Sequence, residues 1–168
     1  VSPEVGVVAP AVYCSNGERL QPASYGKFPT VKSILLGRNI YYHETLTPEW
    51  VSGVAMLVRR SDFEAVRGFD PDLVMYLEDV DLCRRLRALG KEVRRELTAG
   101  VDHLVGQSWT NANDQCRYAQ ASRVIYSQKA GFSLFGRLAI RTLQTAHLHW
   151  HRLAPRTSTG VPARLFPR

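Results

Sequence analysis

The sequence predicts an α/β domain, and three stretches carry that expectation. "VGVVAP", Val5 to Pro10, is a short apolar run of the kind used by buried strands. "WVSGVAMLVRR" is the clearest strand signal, because Val51 to Val58 is nearly continuous apolar, as suits a strand covered on both faces. "SDFEAVRGF" follows at once, with Ser61 three residues before Glu64 in the spacing of a capping box and Gly68 as a natural stop.

The remaining elements fall into place around that strand–helix junction. "SNG" at Ser15 to Gly17 is a turn signal, and "RLQPASYGKFP" leaves it as an irregular, Pro-broken arm. "TVKSILLGRNI" reads as a short helix ending near Gly37, and "YYHETLTPEW" as a loop with exposed aromatics. After the loop "DPDLVMY", the segment "MYLEDVDLCRRLRALG" is helical: Val80, Cys83 and Leu86 share one stripe, Leu82 and Leu89 flank it, and Gly90 closes it. "EVRRELTAGVDHLVG" is read as a weak edge strand reaching His103. Residues 113–130 form a polar helix and residues 132–153 a second one. The tail "APRTSTGVPARLFPR" has a disordered composition. The expected division is therefore 1–130 for the main unit, 131–153 for an amphipathic helix and 154–168 for a basic tail.

At 168 residues the chain is long enough to bury a real core as one domain. Its formal net charge of +7 calls for an anionic partner, and 18 of its 22 basic residues are Arg, the side chain suited to forked contacts with phosphate or carboxylate. Those Arg residues are scattered and not gathered into an aromatic-interleaved stripe, which argues against nucleic acid. Cys14, Cys83 and Cys116 are odd in number and fit no metal spacing, so they read as reduced thiols in a cytosolic setting. No apolar run approaches the length of a transmembrane helix, and no signal peptide is expected. The chain opens on Val1 and its first Met is Met56, from which a piece of a longer protein is expected.

The acids Glu78, Asp79 and Asp81 stand out in so basic a chain. Carboxylates in the first turn of a helix are favoured by its positive end, by about 0.3–1 kcal/mol each, and Asp81 can pair with Arg85 one turn on. That reading covers Asp81 well, but it does not require three acids, so catalysis or metal binding stands beside it. A lone His103 after a weak strand is more often a solvated or satisfied residue than a ligand. In "HLHWH" only His147 and His151 can share a helical face, so the cluster reads as a solvated face. The last helix carries Phe135, Ala139, Leu143, Ala146, Trp150 and Leu153 along one stripe, with Arg137, Arg141, Gln144 and His151 elsewhere. Such a helix either lies on an anionic membrane surface or packs onto its own domain.

In their order, "VGVVAP", "NGERLQPASYGKFPT", "WVSGVAMLVRRSDFEAVRGFD", "MYLEDVDLCRRLRALG" and "DHLVGQS" resemble the second half of family-2 glycosyltransferases. The nearest likeness is to the bacterial rhamnosyltransferase-like group that acts on lipid-linked polysaccharide precursors, over roughly residues 4–130. The resemblance implies a partial glycosyltransferase A-type fold whose nucleotide-binding half is absent, followed by C-terminal amphipathic helices. It implies that Asp79, paired with Glu78, is the general base toward an acceptor hydroxyl. It also implies that Trp50, Ser52 and Gly53 line the sugar and acceptor pocket, and that His103 assists a metal or diphosphate. The implied partners are a nucleotide-diphosphate sugar and a lipid-linked glycan at the cytoplasmic face of the membrane. The implied cofactor is Mg²⁺ or Mn²⁺, held mainly by the absent half. Asp70-Pro71-Asp72 and Asp79-Val80-Asp81 are not that half's Asp-x-Asp. The reading from a different class is a non-catalytic basic module for phosphate-rich polymer or anionic membrane.

Overall fold

A computed structural model describes residues 2–14, 20–21, 24–36, 48–104 and 112–153, leaving out the side chains of residues 112, 113, 147, 148 and 150–153. The architecture is mixed α/β. Strand β1 (Val5–Cys14) is the centre of a three-stranded sheet, flanked by β4 (Leu57–Val58) on one side and β5 (Glu92–His103) on the other. β4 runs antiparallel to β1 and β5 parallel to it. A second, two-stranded sheet pairs β2 (Tyr25–Gly26) with β3 (Trp50–Val51).

β1 extends beyond the apolar run that announced it. Its alternate residues Val5, Val7, Ala9 and Ala11 are buried, the period of a pleated strand. Pro10 interrupts it, having no N–H for the ladder, and there the pairing with β5 jumps from Pro10–Glu96 to Ala11–Gly100. β5 is the edge strand expected to reach His103. Its charged stretch is accommodated locally: the Arg95 guanidinium is buried over the Tyr25 ring, 3.6 Å from the centroid.

The strand expected over Val51 to Val58 is not one element. β3 and β4 are two-residue strands in different sheets, joined by a turn through Gly53 and Val54, and Leu57 is 69% exposed. Helix α2 (Arg60–Ala65) follows as expected, but without the capping box. Its N-cap is Arg59, and Glu64 pairs with Arg60 at 2.8 Å instead of reaching back. A capping box does form at α1 (Val31–Leu35), where Thr30 and Ser33 satisfy each other's backbone N–H groups.

Helix α3 (Glu78–Ala88) matches its stripe: Val80, Leu82, Cys83 and Leu86 are all buried against β1 and β3, whereas Leu89 is exposed. Gly90, at φ +78°, closes it in the left-handed conformation that glycine tolerates. Asp81 is wholly buried and bound by Arg84 and Arg85 at 2.7 Å each, and Arg85 also donates to the carbonyls of Val66 and Gly68. Asp81 is thus a structural tie between α3 and the end of α2. Asp70 and Asp72 both accept from Lys129 Nζ, at 2.6 and 2.7 Å. A lysine stands where a cation would have to sit.

Helices α4 (Ala112–Lys129) and α5 (Leu134–Leu153) occupy the positions read from the sequence. The packed face of α5 is not the expected stripe. Gly136, Ile140 and Gln144 are buried, while Phe135, Ala139 and Ala146 are exposed, Phe135 to 84%. Gly136 explains the choice, because a Cβ there would fall 2.7 Å from Val31 Cγ2; only glycine lets α5 come that close to α1. His149 is exposed. The side chains of His147, Trp150, His151 and Leu153, the turn at Ser15 to Gly17, most of the aromatic loop and the tail lie outside the described residues. No disulfide joins cysteines among the described residues.

Candidate active site

The start of α3 is set by unusual backbone. Tyr76 and Leu77 both take positive φ, 63° and 66°, a conformation uncommon for bulky side chains. Leu77 is the N-cap and contributes no side-chain cap, so the first turn is served by its own acids. Asp79 Oδ1 accepts from the Val80 N–H at 2.8 Å, and Asp79 Oδ2 reaches across to the Gly53 N–H at 2.9 Å. The turn that breaks the expected long strand therefore presents a backbone donor to the acid.

Around this contact is a cavity of about 510 Å³. Its walls include Trp50, Ser52, Gly53, Glu78, Asp79 and His103, so all six residues singled out in the sequence meet in one place. Each is held by a separate device. Trp50 Nε1 donates to the Lys27 carbonyl at 2.8 Å, which fixes the indole. Ser52 is tied through its N–H to the Ser24 carbonyl at 2.8 Å. His103, at the end of β5, has its Nδ1 2.6 Å from Gln21 Oε1. A tautomer with the proton on Nδ1 donates there and leaves Nε2 as an acceptor. A slightly larger hollow of about 580 Å³ between α4 and α5 contains none of the six.

Both acids at the helix start are harder to ionise than usual. Burial pushes Asp79 above the ordinary carboxylate range, opposed by the N–H groups of Gly53 and Val80. Glu78 is raised to about 7, first by desolvation and then by the neighbouring Asp79 charge. Its Oε2 is buried without a hydrogen-bond partner among the described residues. A desolvated carboxylate pair in a cleft, one member anchored by backbone donors and the other poised near neutrality, is suited to accepting a proton from a hydroxyl. Cys83, just behind, is buried with its thiol pushed up to about 12, which makes it a packing residue and not a nucleophile.

These residues do not complete a metal site on their own. Among the described residues no group of three His, Cys, Asp or Glu is arranged to hold a metal ion.

Sequence reading missed Gln21, Lys27, Tyr76 and Arg123, which also line the cavity. Arg123 comes from a segment without a motif, and Gln21 from "NGERLQPASYGKFPT", a quoted stretch in which no residue stood out for chemistry. The available signal for Arg123 was the polarity of α4 itself, since Gln120, Ser122 and Ser127 on that helix are buried.

Comparison with known proteins places the similarity among sugar-transferring enzymes, specifically rhamnosyltransferases. Over 89 residues, 47% of this chain and 34% of the relative, the chain is 34% identical to Rhamnosyltransferase WbbL of Escherichia coli (strain K12). Over 55 residues, 30% of this chain and 18% of the relative, it is 49% identical to N-acetylglucosaminyl-diphospho-decaprenol L-rhamnosyltransferase of Mycobacterium tuberculosis. The matched stretches thus span about a third of one relative and under a fifth of the other. No family profile matches the chain, and no solved structure matches it.

Proposed function

We propose that this chain forms the acceptor side of an inverting glycosyltransferase. The donor is a nucleotide-diphosphate sugar and the acceptor a hydroxyl of a lipid-linked glycan, the acceptor class being supported by the N-acetylglucosaminyl-diphospho-decaprenol in the name of the mycobacterial relative. The observation that carries the proposal is the convergence of the Glu78–Asp79 pair with Trp50, Ser52, Gly53 and His103 on one cavity.

Asp79 is the base. Its carboxylate, held by the Gly53 and Val80 N–H groups, takes the proton of the acceptor hydroxyl. The freed oxygen forms a bond to the anomeric carbon from the face opposite the diphosphate. The bond from that carbon to the diphosphate oxygen breaks, and the nucleotide diphosphate leaves with the electron pair. One displacement inverts the configuration and needs no covalent sugar–protein intermediate. Trp50 offers an apolar wall for a sugar face, and the Ser52–Gly53 turn lets the substrate approach the backbone. Glu78, close to neutrality, limits the negative charge beside the base.

The glycosyltransferase A-type fold, with its nucleotide-binding half outside this chain, belongs to the same proposal. So does a divalent ion, Mg²⁺ or Mn²⁺, whose ligands come mainly from that half, with His103 as this chain's contribution. A lipid-linked acceptor puts the enzyme at the inner face of the cell membrane. No described helix is long and apolar enough to cross a bilayer.

The test is Asp79→Asn in the full-length protein. Sugar transfer is expected to fall by about 10²-fold or more, the scale of a lost general base, with donor binding retained. Near-normal transfer would remove Asp79 from the chemistry. A non-catalytic polyanion-binding module would instead keep or strengthen its binding in the same variant, because a negative charge has been removed.

A further inference from the structure

The cavity also contains a cation that the proton transfer does not use. Arg123 projects from α4 into the same space as Glu78, Asp79 and His103. Its one hydrogen bond among the described residues is long, Nη1 to Gln144 Oε1 at 3.4 Å. It forms no ion pair among those residues, unlike Arg84 and Arg85, which both close on Asp81. A guanidinium has five N–H donors in a planar fork, so most of this one remains open. Desolvation by burial is the largest influence on its charge and lowers its pKa, partly opposed by Cys116 and Tyr76.

We propose that Arg123 is the seat for a phosphate group of a substrate, its fork closing on phosphate oxygens once the cavity is filled. This deepens the glycosyltransferase reading and rests on it for the identity of the substrate. That reading supplies two sources of such a group, the diphosphate of the nucleotide sugar and the diphosphate joining the acceptor glycan to its lipid. The chemistry required is the same for both: a planar, permanently charged donor set matched to tetrahedral oxyanions. Gln144, a buried residue of α5, accepts only the one long bond from Nη1, and Arg123 itself lines the cavity. Glu78 and Asp79 share these walls, so bound phosphate would set a reacting sugar or hydroxyl beside the base.

The test uses Arg123→Gln and Arg123→Lys in the full-length protein, each checked for an unchanged thermal unfolding transition. Inorganic pyrophosphate binding is measured by calorimetry. Transfer kinetics are then measured with two acceptors, a lipid-diphosphate-linked sugar and an uncharged alkyl glycoside of the same sugar. Arg123→Gln should weaken pyrophosphate about tenfold or more, the scale of a lost charge-assisted fork, and Arg123→Lys should restore part of it. A KM increase confined to the lipid-diphosphate acceptor assigns the acceptor's diphosphate. A donor KM increase with both acceptors assigns the nucleotide's. Unchanged pyrophosphate affinity and unchanged KM values in a folded Gln variant would overturn the proposal. Arg123-dependent pyrophosphate binding in a protein that transfers no sugar would sink the glycosyltransferase reading and leave the phosphate seat standing.

Discussion

Asp81 and Asp79 are two residues apart, yet they sit in different surroundings, Asp81 on two guanidinium groups and Asp79 on two backbone N–H groups, and replacing Asp81 by Asn exposes the difference. Asp81 is wholly buried, and its two oxygens each accept from a guanidinium at 2.7 Å. An Asn keeps one oxygen and turns an NH₂ toward the other guanidinium, so one Arg faces a donor and both lose their counter-charge. Breaking a buried pair from one side costs about 3–5 kcal/mol. Arg84 and Arg85 keep 30% and 22% of their side-chain exposure, which lets water take up part of the loss and favours the lower end. Arg85 also holds the Val66 and Gly68 carbonyls, so its displacement would loosen the end of α2 as well. Against a total stability of about 5–15 kcal/mol, a loss of ~3 kcal/mol is large. With a urea slope near 2 kcal/mol per molar, the unfolding midpoint should drop by roughly 1.5 M. Urea titration followed by circular dichroism measures it. A drop under about 0.5 M would mean that solvent already satisfies the two Arg side chains, and the tie between α3 and α2 would have to be abandoned.

Other outcomes follow from the cavity and from α5. Glu78 has its folded pKa raised from 4.5 to about 7, so the folded state holds a proton that the unfolded state releases between those values. Stability should therefore fall as pH rises from about 4.5 to 7, by linkage. Glu78→Gln should flatten that decline in urea titrations across the window, and an unchanged slope would place the raised group elsewhere. Gly53→Ala should fold normally, because the added methyl would sit 3.5 Å from Asp79 Cβ, an ordinary contact. It should nevertheless raise the acceptor KM by crowding the cavity, and unaltered kinetics would separate Gly53 from the substrate. Leu134, Phe135 and Leu138 are 60%, 84% and 50% exposed at the start of α5. If they seat on an anionic bilayer, Phe135→Ser with Leu138→Ser should reduce co-sedimentation with phosphatidylglycerol vesicles. Equal co-sedimentation would take this part of α5 off the membrane.

Periodicity made α3 readable, because residues 80, 83 and 86 must share a face of any α-helix and all three are buried. Composition failed at Val51 to Val58 for a tertiary reason. Its apolar run fits a long strand, but Trp50 and Val51 pair with β2 while Leu57 and Val58 pair with β1. The chain must turn between them, at the residue that meets Asp79. The same kind of context decided α5, where a buried Gln144 and a crowded Gly136 outweighed the more apolar stripe. The six cavity residues were legible through a resemblance to a family's series of motifs, not through spacing. Arg123 lies outside that pattern and Gln21 was not singled out within it, and only the fold brings them from 102 positions apart onto one cavity.

The backbone before α3 ties these strands together. Two successive bulky residues at positive φ cost of order 1–3 kcal/mol each and persist only where the surroundings hold them. Here the holding is visible. Leu77 packs against the core, the Met75 carbonyl accepts from Ser122 Oγ, and the Tyr76 hydroxyl accepts from Gln115 Nε2. Both of those donors come from α4, the helix that also carries Arg123. A relaxed approach to α3 would leave the acids on an ordinary first helical turn, served by water. The strained approach fixes the turn at which Asp79 begins α3 and keeps it in reach of the Gly53 N–H, with Glu78 against the same cavity. Helix α4 therefore does two things at once: it clamps the bend that positions Asp79, and it places a cation on the cavity that Asp79 lines. A fold that needed only a stable helix start could have used glycine at 76 and 77. Side chains there, held in that conformation by α4, make the acid pair and Arg123 parts of one preorganised site.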